Sequence, residues 1–323
     1  MRSGAIKSPA CVAVTLVLAL TLVGSARAAP ALDQQQPVLN TNGGGLAVSQ
    51  QERLAQVITS GVAGLLTEIR VPVECQSTAS LTLEINRAEY MPKASTLARS
   101  TLPGSRFPIV LGGPRDFRSV PLEAPPFIPA QTRFAFILSA SDCLLVQGPT
   151  SDASAYPRGD GFYNTPAYPP GSWQPLFGDL AFQTFVDPIC RVPSVVGEPR
   201  ISAASLIRRY GCSVGTVASR FASKPPGTVL STTPKAGTQL ASGSAVKLVV
   251  SRGPRPCVVP NVVGKTLRSA ASAISHANCR LARVKHGFSP SVKPGRVIAQ
   301  SPRPGRRLRA RAPVNMVISR GSR

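Results

Sequence analysis

From residue 190 onward the chain is one cassette written twice, and any fold it adopts must itself be doubled there. The first copy runs from Cys190-Arg-Val-Pro-Ser-Val-Val-Gly197 to Val246-Lys-Leu-Val-Val-Ser-Arg-Gly253. The second runs from Cys257-Val-Val-Pro-Asn-Val-Val-Gly264 to Val314-Asn-Met-Val-Ile-Ser-Arg-Gly321. At an offset of 67 residues, Pro193 falls on Pro260, Gly197 on Gly264 and Cys212 on Cys279. After one inserted residue the offset becomes 68, and Pro226-Gly227, Pro234, Gly237 and Val246 meet Pro294-Gly295, Pro302, Gly305 and Val314. Prolines, glycines and cysteines that stay in register through one slip mark two copies of a small domain.

The cysteines follow the same duplication. The N-terminus reads as a secretory signal: Arg2 and Lys7 open it, Cys11 to Val23 is apolar, and Ala26-Arg27-Ala28 is a small-residue cleavage site. An apolar run of about 13 residues is short for a bilayer span, so cleavage after Ala28 and export are expected. Discarding Cys11 leaves six cysteines, which permit fifteen pairings. Cys190 to Cys212 and Cys257 to Cys279 have equal separation at equivalent positions, so each pair is expected to close within its own copy. Cys75 and Cys143 then remain for each other. There is no Cys-x-x-Cys and there are two histidines, His276 and His286, so neither a metal site nor any cofactor is expected.

Charge divides the chain in the same place. Residues 29–188 carry ten Lys plus Arg against thirteen Asp plus Glu, whereas residues 189–323 carry twenty-four basic residues and one acid, Glu198. The copies are unequal: residues 190–253 hold nine basic residues and that acid, and residues 255–323 hold fifteen basic residues and no acid. Genome-wide composition bias would act on both halves alike, so the positive tail is a local property with consequences for partners.

Residues 29–49 are polar and Gly-rich and read as a flexible lead. From 50 to 188 period-two alternation dominates, as in Ile69, Val71, Val73, then Leu81, Leu83, Ile85, then Phe134, Phe136, Leu138, then Leu180 and Phe182. Roughly eight such strands separated by Gly/Pro punctuation predict an all-β antiparallel sandwich. Gln56-Val-Ile-Thr-Ser-Gly-Val-Ala-Gly-Leu-Leu-Thr-Glu-Ile-Arg-Val71, Thr132-Arg-Phe-Ala-Phe-Ile-Leu-Ser139, and Trp173 followed by Asp179-Leu-Ala-Phe182 resemble jelly-roll modules of secreted bacterial proteins.

Each C-terminal copy reads as a short strand at Val195-Val196, a helix and further strands. Ala203, Leu206, Ile207 and Tyr210 recur at helical spacing before Gly211, and Ala270, Ile274 and Ala277 before Asn278. The Val-Pro-x-Val-Val-Gly opening, Ala-rich helix, Pro-x-x-Gly turn and closing Val-x-x-Val-x-Ser-x-Gly resemble the PASTA family, small extracellular modules of bacterial Ser/Thr kinases and penicillin-binding proteins. The resemblance implies one helix packed on a three-stranded sheet, in modules spanning 189–254 and 255–323, and a role in binding peptidoglycan or holding a protein at the wall. Two departures bear on ligand binding: Thr232 stands where the second copy has Gln300, and Gly243 where it has Arg311.

Residues 29–188 contain no histidine, which removes Ser-His-Asp and Cys-His catalysis there, and no activity as an enzyme is expected. The densest basic run is Arg303, Arg306, Arg307, Arg309 and Arg311, the candidate contact for an anionic wall polymer, since Arg grips phosphate and carboxylate with paired hydrogen bonds. Three aromatics in the two modules are too few for a base-stacking platform, so no specific nucleic acid is expected, and no membrane insertion. Tyr156, Tyr163, Tyr168 and Trp173 lie in a Pro-rich stretch and are either sugar-stacking rings or plugs against the core. The expected protein is a secreted, wall-associated, non-enzymatic one. The competing expectation is a carbohydrate- or solute-binding sandwich that uses the modules as spacers.

Overall fold

The computed structural model describes residues 29–40, 45–110, 116–148, 156–169 and 172–323; the signal segment at 1–28 lies outside them. The chain is mostly β. Among the described residues no helix is long and apolar enough to cross a membrane.

Residues 31–191 build two larger sheets and a small one. The first sheet orders Ala31–Gln36, Phe182–Arg191, Gly64–Val71 and Arg118–Pro121 side by side, with Phe127–Ile128 also on Gly64–Val71. The second orders Gln174–Pro175, Gly161–Asn164, Arg53–Thr59, Arg133–Ala140, Ser80–Ala88 and Pro92–Pro103. The strands are shorter and more numerous than the alternation suggests. Their inward set is the one it predicts: Ile69, Val71, Leu81, Leu83, Ile85, Phe134, Phe136, Leu138 and Phe182 share one buried cluster drawn from both sheets. Opposite parity is also apolar on the middle strands, where Ala55, Val57, Ala135 and Ile137 bury a second, smaller cluster beneath Phe162. The small sheet places Leu46–Val48, Cys143–Leu145 and Val73–Cys75 together. Cys75 and Cys143 face each other in it and are disulfide-bonded.

Among the described residues of the expected lead at 29–49, two strands form, Ala31–Gln36 and Leu46–Val48. Ala31–Gln36 pairs antiparallel with Phe182–Arg191 as an edge strand, a place where one ladder side faces solvent and polar residues are tolerated. The Asp33 carboxylate holds it there by accepting from the backbone N–H groups of Gly61 and Val62 at 3.0 and 2.7 Å. Gln34 N–H donates to Thr184 Oγ1 at 3.0 Å. The Asp33 carboxylate and the Gln34 backbone N–H supply hydrogen bonds that lock the strand in place, a role that hydropathy does not register.

Each C-terminal copy is a helix on a three-stranded mixed sheet. In the first, the helix Arg200–Arg209 buries Ala203 and Ile207. Its sheet orders Ser213–Arg220, Ala245–Ser251 and Val229–Thr233, the first pair parallel. In the second, Leu267–His276 buries Ala270 and Ile274, over Arg280–Gly287, Pro313–Ser319 and Val297–Ser301. Val195-Val196 is not a strand: pairing ends at Arg191, before Pro193 interrupts the donor sequence, and Cys190 sits opposite Leu240 as Cys257 sits opposite Leu308.

The two cores match closely, except that the second also buries Ala312 where the first has Ser244. Cys190, Val192, Val195, Ala203, Ile207, Val229, Val246, Leu248 and Val250 correspond to Cys257, Val259, Val262, Ala270, Ile274, Val297, Val314, Met316 and Ile318. Cores this small leave a domain marginal, and each is closed by a disulfide, Cys190–Cys212 and Cys257–Cys279. The closing Ser-Arg-Gly is a hydrogen-bonded clasp in both. Ser251 Oγ donates to the Lys224 carbonyl and accepts from Gly253 N–H, and Ser319 Oγ does the same with Val292 and Gly321.

Candidate functional site

Every residue of the Arg303–Arg311 run that carries charge is exposed. The run begins in a turn, crosses the short strand Arg307–Leu308 paired with Cys257–Val258, and ends at Arg311. Leu308 packs inward against the module core, so Arg307 and Arg309, one residue to either side, point away from it. Arg311 differs from the rest. Its φ of 59° is left-handed, which costs a residue with a Cβ roughly 1–2 kcal/mol. Its N–H bonds the Asn278 carbonyl at 2.7 Å, as Gly243 N–H bonds Gly211 in the first copy at 2.8 Å. The run is therefore one solvent-facing strip, with Arg311 turned towards a cleft of about 940 Å³ between the two modules that Arg255, Arg280 and Phe221 also line.

Gln300 has a structural task. Its Oε1 accepts from Val262 N–H at 2.8 Å, and its Nε2 donates to the Pro260 and Pro302 carbonyls at 2.9 and 3.3 Å. The side chain thus clamps the Val-Val-Gly opening of the second copy to its cross-strand turn. Thr232 is too short to do so in the first.

The ion pairs Arg53–Glu84, Arg70–Glu68, Lys93–Glu89 and Arg99–Glu84 all lie in the N-terminal region. None involves residues 189–323. Both modules thus present their cations unneutralised. One feature escaped the sequence reading because it joins residues about 34 apart. Phe221 and Phe288 are equivalent and exposed, and Arg255 and Arg323, also equivalent, lie over their rings at 5.7 and 5.5 Å. Internal comparison of the copies at Phe221, Arg255, Phe288 and Arg323 would have found it.

The candidate stacking aromatics separate. Tyr156 is buried, its ring edge-on to Phe182 at 5.1 Å and its hydroxyl donating to Gln34 Oε1 at 2.7 Å. Trp173 packs against the cluster around Phe162, with the Arg53 guanidinium 5.6 Å from its ring. Tyr163 leans on the main core, and its ring meets Tyr168 at 6.2 Å. Only Tyr168 is exposed. The four do not form one platform. Next to Tyr156, the Asp179 carboxylate accepts from Tyr156 N–H and Gln56 Nε2, both at 2.7 Å. Burial raises Asp179 above the usual carboxylate range, and raises Asp33 likewise. Among the described residues no group of three or more His, Cys, Asp and Glu side chains is placed to hold a metal.

A family model of the PASTA domain matches residues 191–252 and 258–320. Over 89 residues the chain is 40% identical to a probable serine/threonine-protein kinase of Clostridium acetobutylicum, covering 27% of this chain and 14% of the kinase. Over 131 residues it is 33% identical to a probable serine/threonine-protein kinase of Clostridium perfringens, covering 41% and 19%. The crystal structure of the three-PASTA-domain of a Ser/Thr kinase from Staphylococcus aureus aligns at 20% identity and a TM-score of 0.35, over 40% of this chain and 65% of that one. The chain thus spans less than a fifth of the length of these kinases. Its C-terminal region consists of two PASTA domains.

Proposed function

We propose that this is a secreted, non-enzymatic cell-envelope protein whose PASTA domains hold it on peptidoglycan or another anionic wall polymer, displaying the N-terminal β-sandwich. The observation that carries the reading is the unneutralised charge of those domains: twenty-four basic residues against one acid, with no ion pair among the described residues there. A polymer bearing phosphates or carboxylates is the complementary surface. PASTA domains are often peptidoglycan-binding, which agrees. Three disulfides suit an oxidising compartment. Arg311 adds a local argument, because a costly left-handed Arg stands where the sister copy has Gly, and such outliers point to a use for the side chain.

Co-sedimentation with purified cell wall tests this. The fragment 189–323 pellets with the wall at physiological salt, and the binding weakens steeply near 1 M, where the screening length is about 3 Å. If 29–188 pellets and 189–323 stays in solution, the assignment of wall binding to the PASTA domains is wrong.

A further inference from the structure

A second basic surface, which shares no residue with the Arg303–Arg311 strip, lies at the joint between the N-terminal region and the first PASTA domain. There a cleft of about 870 Å³ opens between the tip of the hairpin Ser80–Ala88/Pro92–Pro103, the segment Phe127–Phe134, and the helix end of the first PASTA domain. Arg87, Lys93 and Arg133 enter it from one side, and Arg191 and Arg209 from the other. The lining carries one carboxylate, Glu89, which Lys93 already engages at 2.5 Å. This concentration is local. The N-terminal region as a whole has more acids than bases, yet it contributes three cations to this one place.

Several of these guanidinium groups are held by neutral partners. Arg209 donates to the Ala130 and Gln131 carbonyls and to Thr132 Oγ1 at 3.1–3.3 Å. Arg133 donates to the Glu89 carbonyl at 2.9 Å and lies over Tyr90. Arg191 lies 5.6 Å over the Phe127 ring. Carbonyls and rings fix the position of a guanidinium without cancelling its charge, so the cleft is pre-organised for an anion. Its walls are also fixed relative to each other. Ala130 N–H bonds the Arg209 carbonyl at 2.8 Å, the Phe127 and Tyr210 rings meet at 5.4 Å, and the strand Phe182–Arg191 is shared by both domains. The cleft between the two PASTA domains lacks such ties, since no hydrogen bond among the described residues joins 190–253 to 257–323.

We propose that this cleft is a composite binding site for a short acidic saccharide, one carrying several carboxylate or phosphate groups on its rings. The cations take the acid groups, and the apolar Phe127–Tyr210 pair takes the C–H surface of a ring. The volume is that of a small-ligand site rather than of a polymer track. The site goes beyond wall retention, gives the N-terminal region a recognition role, and needs residues from both domains.

Titration calorimetry on the chain from residue 29 to 323 tests it, with oligogalacturonate as the carboxylate probe, tripolyphosphate as the phosphate probe and a neutral gluco-oligosaccharide as the control. Arg87→Gln and Arg191→Gln, one from each domain, are each expected to weaken binding of an acidic probe about tenfold. The double variant Lys265→Gln/Arg268→Gln, which is exposed and lies outside both the cleft and the strip, is expected to weaken it less than about threefold. Thermal midpoints should stay unchanged in all of them. Whichever acidic probe shows this pattern names the anionic group. The proposal is overturned if neither probe binds the unaltered chain, if the neutral sugar binds as well, or if the Lys265/Arg268 variant costs as much as the cleft variants. Wall sedimentation reads the strip separately, so the two proposals fail independently.

Discussion

The two PASTA domains share a core, a clasp and a disulfide position, but they are mounted differently. The first is built onto the N-terminal region: its opening strand is the end of Phe182–Arg191, and Arg209 and Tyr210 pack against residues 127–132. The second follows Gly253-Pro-Arg-Pro256, with no hydrogen bond to the first among the described residues. Mounting explains a sequence difference that fold alone does not. Gly211 and Asn278 hold the same left-handed position, φ 76° and 53°. At Gly211 a Cβ would collide with the Ile189 carbonyl oxygen and sit 3.1 Å from Ala63 Cβ of the N-terminal region. Asn278 carries its Cβ there. One copy has traded side-chain freedom for a joint, and the other has kept a free surface that carries more charge.

The largest expected effect comes from the disulfides. Cys190→Ser/Cys212→Ser and Cys257→Ser/Cys279→Ser should each cost about 3 kcal/mol, the worth of a loop of this length. Their reach should differ. Trp173, the sole tryptophan, reports on the N-terminal region, and its denaturant midpoint should fall in the first variant and hold in the second. Equal shifts would dissolve the distinction between the two mountings. Next, Gly211→Asn should destabilise the joint by about 2 kcal/mol or more, since the clash adds to the usual cost of a poor fit. Asn278→Gly should stay within a few tenths.

Much of this was legible in the sequence. The duplication gave the module cores, the helix positions and the disulfide pairs, because prolines, glycines and cysteines record backbone requirements directly. Alternation gave the inward face of the N-terminal strands for the same reason. The strand Ala31–Gln36 was not legible, since Asp33 and Gln34 hold it by hydrogen bonds to residues distant in sequence. The cleft at the joint was hidden likewise: Arg87, Arg133, Arg191 and Arg209 are scattered along the chain, and only the docking of two domains brings them together. Gln300, which in the sequence is only a difference from Thr232 of the first copy, proves to be a clamp.

That clamp gives a smaller test. Gln300→Ala leaves the buried Val262 N–H without its acceptor and should cost about 1–3 kcal/mol, whereas Thr232→Ala should fall within about 0.5 kcal/mol. Smallest is a pH effect confined to the N-terminal region. Burial raises the Asp33 and Asp179 carboxyls in the folded state, so their contribution to stability is full below about pH 3.8 and is lost as pH climbs through the raised folded values. The stability gap between the unaltered chain and Asp179→Asn should therefore widen as pH falls from 7 towards 4.5. A gap that narrows would contradict the burial argument.

On the proposed wall-holding role, the freely mounted, more highly charged second PASTA domain should do most of the holding. Wall co-sedimentation of the chain from residue 29 to 323 tests it with two charge-matched variants. One is Arg306→Gln/Arg307→Gln/Arg309→Gln in the second domain, and the other is Arg200→Gln/Arg208→Gln/Lys224→Gln in the first. The second-domain variant should lose most of the pelleted fraction while the first-domain variant keeps most of it. Equal losses, or a larger loss from the first domain, would contradict it.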